Sequence, residues 1–138
     1  MIDAPALRGL SILLVEDEIM IAAMVEDMLL DFGCAIAGIA RDLPRAVMLA
    51  RTASIDAALL DANLGGVSSG PVADILAARR VPFLFETGYG AHGIEPAHRT
   101  RPILAKPFTE EALVAALLAL VAPQVVVAGR ARFGRAAT

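Results

Sequence analysis

The sequence has few of the residues that mark secreted or membrane proteins. It contains one cysteine, Cys34, and no tryptophan in 138 residues. A single cysteine cannot form a disulfide within the chain, which favours a reducing compartment. The longest apolar run, residues 112–123, is well short of the ~20 residues of a membrane span. The N-terminus also lacks a basic stretch ahead of an apolar one. We therefore expect a cytoplasmic protein with no signal peptide and no membrane insertion.

Basic residues are also too few for a nucleic-acid surface. The net charge is −3, and no basic stripe appears before the last few residues. A nucleic-acid-binding domain needs such a stripe to neutralise phosphates. Hydrophobic residues make up 57% and charged residues 20% of the chain. This composition and length predict one globular domain with a real core.

Short apolar runs alternate with stretches of helical spacing along the chain. This alternation predicts an α/β fold in which right-handed crossovers build a parallel sheet. Five strands fit the doubly wound order 2-1-3-4-5, which places strands one and three side by side at the switch point. The predicted strands cover residues 11–15, 34–40, 55–60, 81–87 and 101–105, and the predicted helices cover residues 19–32, 45–51, 71–80 and 109–121.

Helix ends and loops can be placed from local signals. Asp42 and Thr109 are suitable N-caps, and Pro123 is expected to end the last helix. The methionines of the first helix are interpreted as core residues. Glycines and a proline crowd residues 88–96, so the fourth helix should be short or irregular. We predict an N-terminal extension at residues 1–9, a domain at residues 10–122 and a flexible tail at residues 123–138.

Carboxylates follow two strands that should be neighbours. Glu16 and Asp17 end strand one, and Asp61 ends strand three. Three carboxylates a few ångströms apart repel one another, at about 4 kcal/mol for each close pair. A hard cation would relieve this repulsion, and Mg²⁺ suits oxygen ligands and keeps waters that a phosphate can replace.

Two further strand ends point to the same edge. Thr87 closes strand four with a hydroxyl, and Lys106 closes strand five with an ammonium group that could neutralise an oxyanion. A carboxylate nucleophile, a divalent cation, a hydroxyl and a lysine are the components of phosphoryl transfer to aspartate.

This set of motifs resembles the receiver domain of two-component response regulators, which has a flavodoxin-like fold. The resemblance rests on Val15-Glu16-Asp17-Glu18, Leu60-Asp61, Thr87-Gly88 and Lys106-Pro107-Phe108, and it covers roughly residues 10–122. The stretch Pro82-Phe83-Leu84-Phe85-Glu86-Thr87-Gly88-Tyr89 further resembles alphaproteobacterial receivers with a Phe-Ala-Thr-Gly-Tyr-type motif, which are mostly stand-alone domains.

The resemblance implies a role for each matching residue. Asp61 is expected to be the phosphoacceptor, and Glu16, Asp17, Asp61 and the backbone carbonyl of Asn63 are expected to hold Mg²⁺. The residues expected to bind the phosphoryl group in the switched state are Thr87, Gly88 and Lys106.

The same resemblance implies a signalling role. The chain would be a phosphoacceptor that assists its own phosphorylation and dephosphorylation, rather than an enzyme. Its partners would be a sensor histidine kinase or histidine phosphotransfer protein and an unidentified downstream protein. The alanine- and leucine-rich surface of the last helix is the face we expect a partner, or a second copy in a homodimer, to use.

Two positions depart from the family pattern. Glu86 stands where the subfamily has alanine, and we expect it to reach solvent or to pair with an arginine. Ile103 occupies the usual position of an aromatic switch residue, which leaves Tyr89 as the candidate replacement. His92 and His98 lie in the glycine-rich loop without partner spacing, and we interpret both as solvated.

Two other functions remain open. A constitutive adaptor of the same fold would bind its partner without phosphorylation, and Glu86 and Ile103 keep this alternative open. A phosphatase with an aspartyl-phosphate intermediate is the third reading. It would need a general acid two residues after Asp61, and Asn63 cannot serve as one.

Overall fold

The computed structural model describes residues 2–88 and 90–131. A five-stranded sheet forms its centre. The sheet contains β1 (Ser11–Val15), β2 (Ala35–Ala40), β3 (Ala57–Asp61), β6 (Phe83–Thr87) and β7 (Ile103–Ala105). Two short strands, β4 (Asn63–Leu64) and β5 (Val67–Ser68), form a separate hairpin. The helices are α1 (Ile19–Asp31), α2 (Leu43–Thr52), α3 (Gly70–Ala78) and α4 (Glu110–Ala131).

The sheet has the predicted topology. Its strands run in the order β2-β1-β3-β6-β7, and each neighbouring pair is parallel. This is the order 2-1-3-4-5 once β4 and β5, which form a separate antiparallel pair, are left out of the numbering. The prediction of a doubly wound, flavodoxin-like sheet is confirmed. Strands β1 and β3 are therefore neighbours at the switch point, where such folds bind ligands.

The central strands β1, β3 and β6 are buried on both faces because helices cover both sides of the sheet. Every residue of β3 and β6 is buried, which explains their apolar sequences. One half of the core includes Leu14, Leu59, Leu84, Val25, Leu29 and Leu113, and the other half includes Leu13, Leu60, Phe83, Phe85, Val72 and Leu76. Glu86 is the one acidic residue within this buried part of β6.

The N-terminal segment is part of this packing. Residues 5–7 form a 3₁₀ turn that lies against α4. Ala4 and Leu7 are buried in the same core cluster as α1. The stretch predicted as an extension therefore contributes apolar side chains to the domain.

The assignment of the α1 methionines to the core was wrong for two of them. Met20 is 79% exposed and Met24 44% exposed, and Met28 is partly buried. The buried face of α1 is formed by Ala22, Val25 and Leu29. Helical spacing fits several overlapping faces when a helix is rich in apolar residues. Contact with the sheet selects one of these faces.

The last helix is longer than predicted. It continues through Pro123 to Ala131, so the predicted end at Val121 was wrong. An interior proline removes one hydrogen bond and strains the helix, but the residues on either side can still continue it. The remainder of the predicted tail, residues 132–138, lies outside the described residues. Within the described part of the chain, no helix has both the length and the apolar character that a membrane crossing requires.

Between β6 and β7 the described residues contain two 3₁₀ turns, Gly90–Gly93 and Pro96–His98, and no α-helix. The prediction of a short or irregular fourth helical region is confirmed. By contrast, the β4–β5 hairpin was not predicted. Gly65 and Gly66 turn this hairpin with positive φ values of 61° and 94°, which glycine adopts without strain.

The hydrogen bond that caps the N-terminus of α2 should contribute measurably to the stability of the protein. Asp42 Oδ1 accepts a hydrogen bond of 2.9 Å from the Arg45 backbone N–H, as predicted for an N-cap. Asp42→Ala should lower the free energy of unfolding by about 1 kcal/mol, measured by urea denaturation. Asp42→Asn keeps an acceptor oxygen and should lose much less, and equal losses in both variants would contradict this role for the cap.

Candidate phosphoacceptor and metal site

Four strands of the sheet end beside one cleft. Glu16 and Asp17 follow β1, Asp61 and Thr87 end β3 and β6, and Lys106 follows β7. The cleft has a volume of about 390 Å³. It is lined by Asp17, Glu18, Asp61, Asn63, Gly65, Thr87, Gly88 and Lys106. The sheet thus brings the sequence-predicted residues together at its carboxyl edge.

The three carboxylates form a tight cluster. One ligand oxygen from each of Glu16, Asp17 and Asp61 lies within 4.8 Å of the others. Glu16 is fully buried and does not line the cleft, Asp61 is nearly buried, and Asp17 is partly exposed. Asp17 and Asp61 are therefore the carboxylates that an entering ion meets first.

Backbone amides orient two of these carboxylates. The Asn63 N–H donates to Asp61 Oδ1 over 3.1 Å, and the Glu18 N–H donates to Glu16 Oε2 over 3.1 Å. Each bond fixes one oxygen and leaves the other to face the cluster. The hairpin after Asp61 also places Asn63 and Gly65 on the rim of the cleft.

Lys106 is the only lysine in the chain, and it lies among these acids. Its Nζ donates to Glu16 Oε1 over 2.9 Å and to Asp61 Oδ2 over 3.0 Å. These bonds, to Glu16 first, raise the pKa of Lys106 although burial by itself would lower it. The ammonium group therefore stays charged and links the ends of β1 and β3.

Glu86 is an additional carboxyl group in this cluster. It is 0% exposed, and its Oε1 lies 3.8 Å from Lys106 Nζ. Among the described residues no N–H or O–H group donates to either of its oxygens, and its nearest carboxyl neighbour is Glu16, with which it interacts directly. The expectation that Glu86 reaches solvent or pairs with an arginine was wrong. Successive side chains of a strand point to opposite faces of the sheet. Glu86 therefore lies on the same face as Leu84, and Phe85 lies on the other.

Burial and crowding alter the ionisation of the acids. Burial raises the pKa of Asp61 to about 6, although the Asn63 N–H and Lys106 lower it. Burial, followed by the neighbouring Glu16 carboxylate, raises the pKa of Glu86 to about 9. Burial alone would also raise the pKa of Glu16, but Glu86, Lys106 and the Glu18 N–H hold it below its usual value. Without a cation, the site keeps Glu86 neutral at pH 7 and Glu16 ionised.

The other predicted residues of the phosphate site line the same cleft. Thr87 is buried at the end of β6 and lines the cleft, and Gly88 follows it. Ile103, at the usual position of the aromatic switch, is partly exposed on the edge strand β7. Tyr89, the candidate replacement for that aromatic residue, lies outside the described residues.

The two histidines differ in their surroundings. His92 is exposed, as predicted. His98 is only 6% exposed, and its Nε2 lies 2.7 Å from Asp74 Oδ1 on α3. The interpretation of His98 as solvated was wrong, because its partner lies 24 residues earlier in the chain and sequence spacing gave no signal for the contact.

The donor set fits a hard divalent cation. Its atoms are carboxylate oxygens and the backbone of Asn63 beside an open cleft, which is the chemistry that Mg²⁺ prefers. The single ammonium group of Lys106 cannot neutralise all the acids around it. The residues present therefore match the ion that the sequence led us to expect.

Comparison with solved structures identifies the relatives of this chain. SdrG from Sphingomonas melonis Fr1 is 43% identical, with a TM-score of 0.73 over 82% of this chain and 97% of that one. The Erythrobacter litoralis PhyR response regulator REC domain is 29% identical, with a TM-score of 0.72 over 84% and 92%. The receiver domain of sensor histidine kinase PA1611 from Pseudomonas aeruginosa PAO1, with a magnesium ion coordinated in the active site cleft, is 28% identical, with a TM-score of 0.69 over 82% and 98%.

No protein-family model matches the chain, and no curated protein matches it. The structural matches nevertheless span nearly the full length of several receiver domains at up to 43% identity. The chain belongs to the receiver domains of response regulators, a family of signalling domains. This confirms the resemblance drawn from the strand-end motifs.

Proposed function

We propose that this protein is a response regulator that accepts a phosphoryl group on Asp61 in the presence of Mg²⁺. The observation that carries the proposal is the placement of the Asp61 carboxylate. It lies at the carboxyl edge of the sheet, faces an open cleft, and is flanked by two acids and by Lys106. A nucleophile, charge-neutralising groups and space for a donor therefore meet at one point.

In this proposal each residue has a distinct task. Asp17, Asp61 and the Asn63 carbonyl would hold Mg²⁺. The buried Glu16 carboxylate would add a negative charge next to the ion on the side away from the cleft. The bound ion would neutralise the oxygens of the transferring group. An Asp61 oxygen forms the new bond to phosphorus, and the bond between phosphorus and the donor breaks with its electron pair leaving on the donor. Lys106 and Thr87 then contact the phosphoryl oxygens.

The output would be a shift between two conformations. The new phosphoryl group adds charge beside Lys106 and Thr87 and draws both side chains inward. Thr87 ends β6, so this movement would alter the segment that follows it and the adjoining surface of β7 and α4. We propose that a downstream protein reads that surface. A sensor histidine kinase or a histidine phosphotransfer protein would supply the phosphoryl group.

A constitutive adaptor is the second candidate function. The contacts of Lys106 with Glu86 and its neighbouring acids support it. Lys106 already has three carboxyl groups within 4 Å. These contacts compete with a phosphoryl group for the ammonium and could hold one conformation permanently. An adaptor of this kind would bind its partner equally well as wild type and as Asp61→Asn.

The test is the intact mass after incubation with acetyl phosphate, for wild type and Asp61→Asn, with Mg²⁺ or with EDTA. We expect wild type to gain one phosphoryl group with Mg²⁺ and none with EDTA. Asp61→Asn should gain none in either condition, because an amide oxygen is too weak a nucleophile.

Asp17→Asn is the matched control for the metal. It keeps the acceptor and should label more slowly, with labelling recovered at higher Mg²⁺ concentration. Equal labelling of wild type and Asp61→Asn would reject Asp61 as the acceptor. Absence of labelling in wild type, both with acetyl phosphate and with the cognate kinase, would favour the adaptor.

A further inference from the structure

The segment between β6 and β7 packs against the phosphoacceptor strand. We call residues 90–101 the β6–β7 segment. Ile94 is buried in the same core cluster as Ala62, the residue after Asp61. A Cβ atom on Gly93 would lie 3.8 Å from the Ala62 side chain. The start of this segment therefore lies beside the residue that follows the phosphoacceptor, and its first 3₁₀ turn also lies near β6, which ends at Thr87.

A hydrogen bond between His98 and Asp74 connects the other end of the segment to α3, with the His98 side chain buried and the Asp74 side chain 66% exposed. The His98 Nε2 and Asp74 Oδ1 atoms are 2.7 Å apart. A carboxylate can only accept, so the imidazole must carry its proton on Nε2. The His98 ring also packs against the rings of Phe83 and Phe85, with centroid separations of 6.0 and 6.3 Å. The ring is therefore held by the two phenylalanines and by a partly solvent-exposed hydrogen bond to Asp74, and loss of that bond leaves a buried imidazole nitrogen without its partner.

Two further side chains of the β6–β7 segment contact the neighbouring elements. The Glu95 carboxylate lies against Gly70 at the start of α3, with Oε2 3.4 Å from Ser68 Oγ. The Arg101 guanidinium lies 4.3 Å from the centre of the Phe83 ring, close enough for a cation–π interaction. The segment is therefore held by side-chain contacts to α3, β5 and β6, in place of the regular hydrogen bonds of a helix.

We propose that His98 and Asp74 are positioning residues for phosphoryl binding. Their pair holds the β6–β7 segment against Ala62, and this contact sets the wall of the cleft at Thr87 and Gly88. The proposed metal ligands Asp17, Asp61 and Asn63 follow β1, end β3 and begin β4, and the bond between His98 and Asp74 involves none of them, so we expect the affinity for Mg²⁺ to change little. This inference rests on the proposed function, because it assigns the pair to the site where the phosphoryl group would bind.

The test compares Asp74→Ala, His98→Gln and the double variant, with His92→Gln as the matched control on the exposed histidine of the same segment. Two affinities are measured by titration: Mg²⁺ alone, and beryllofluoride, a stand-in for the phosphoryl group, at saturating Mg²⁺. Amide hydrogen exchange of residues 90–101 is followed in the free proteins. Asp74 is on the surface of α3, so its variant should fold even if a His98 variant does not.

We expect each single variant to bind beryllofluoride about fivefold more weakly, and the double variant to lose no more than that. Mg²⁺ affinity should stay within about twofold of wild type, and exchange in residues 90–101 should accelerate. His92→Gln should match wild type. A general structural defect would instead weaken Mg²⁺ and beryllofluoride binding alike, and that result would overturn the inference.

Unchanged beryllofluoride affinity in Asp74→Ala, with wild type binding normally, would also overturn the inference and leave the proposed function intact. Failure of wild type to bind beryllofluoride in Mg²⁺ would count against the proposed function itself, and the positioning role would fall with it. The exchange data would then still show whether the pair holds the segment.

Discussion

Lys106→Met should destabilise the metal-free protein by about 3 kcal/mol, because removing one partner of a buried ion pair leaves the other charge uncompensated. The Lys106 ammonium group contacts Glu16 and Asp61 at 2.9 and 3.0 Å and lies 3.8 Å from Glu86. Methionine keeps much of the length of the side chain, so little of the loss would come from packing. Urea unfolding at pH 7.5 in EDTA measures the change.

Mg²⁺ should reverse much of this loss. A divalent cation held by the remaining carboxylates supplies the positive charge that the variant lacks, and a ligand that binds only the folded state stabilises it. Arg45→Met removes an exposed cation from α2 and serves as the control, with an expected change within about 0.5 kcal/mol. A Lys106→Met protein as stable as wild type in EDTA would show that the acids do not depend on Lys106.

Glu86→Gln should stabilise the metal-free protein at pH 7 by about 3 kcal/mol. The pKa of Glu86 rises from 4.5 to about 9 on folding. The folded protein therefore retains a proton that the unfolded chain releases between these values. Stability falls as pH rises through that window, and the full cost is present above about pH 9. Glutamine has the shape of the neutral acid and no proton to retain.

The pH dependence distinguishes this explanation from others. The stability difference between Glu86→Gln and wild type should vanish near pH 4.5 and widen up to about pH 9, measured by urea unfolding in EDTA. Glu111→Gln makes the same change on the exposed first turn of α4 and should alter stability by about 0.5 kcal/mol or less. A variant less stable than wild type at every pH would mean that Glu86 is ionised and stabilised by Lys106.

The sheet and the cleft could be predicted because their signals are local. Each buried strand is a short apolar run, and the residue that ends it is visible in the sequence. Glu16, Asp17, Asp61, Thr87 and Lys106 each follow or end such a run. The parallel order then places these ends at one edge without any knowledge of side-chain contacts.

The features that were missed depend on tertiary contacts. His98 is buried next to a partner, Asp74, that lies on α3. Glu86 is buried next to acids and a lysine that come from the ends of three other strands. Exposure of Met20 and Met24 depends on which face of α1 meets the sheet. The β4–β5 hairpin is different, since adjacent glycines at positions 65 and 66 are a recognisable signal for a two-residue turn.

The most direct test of this account is to locate the phosphoryl group on the chain. Wild-type protein is incubated with acetyl phosphate and Mg²⁺ and then reduced with borohydride, which converts an aspartyl phosphate to homoserine. Peptide mass spectrometry then identifies the altered residue. We predict homoserine at position 61 and at no other aspartate, dependent on Mg²⁺. Homoserine at a different aspartate, or a stable phosphoryl group on another residue with Asp61 unmodified, would contradict the account.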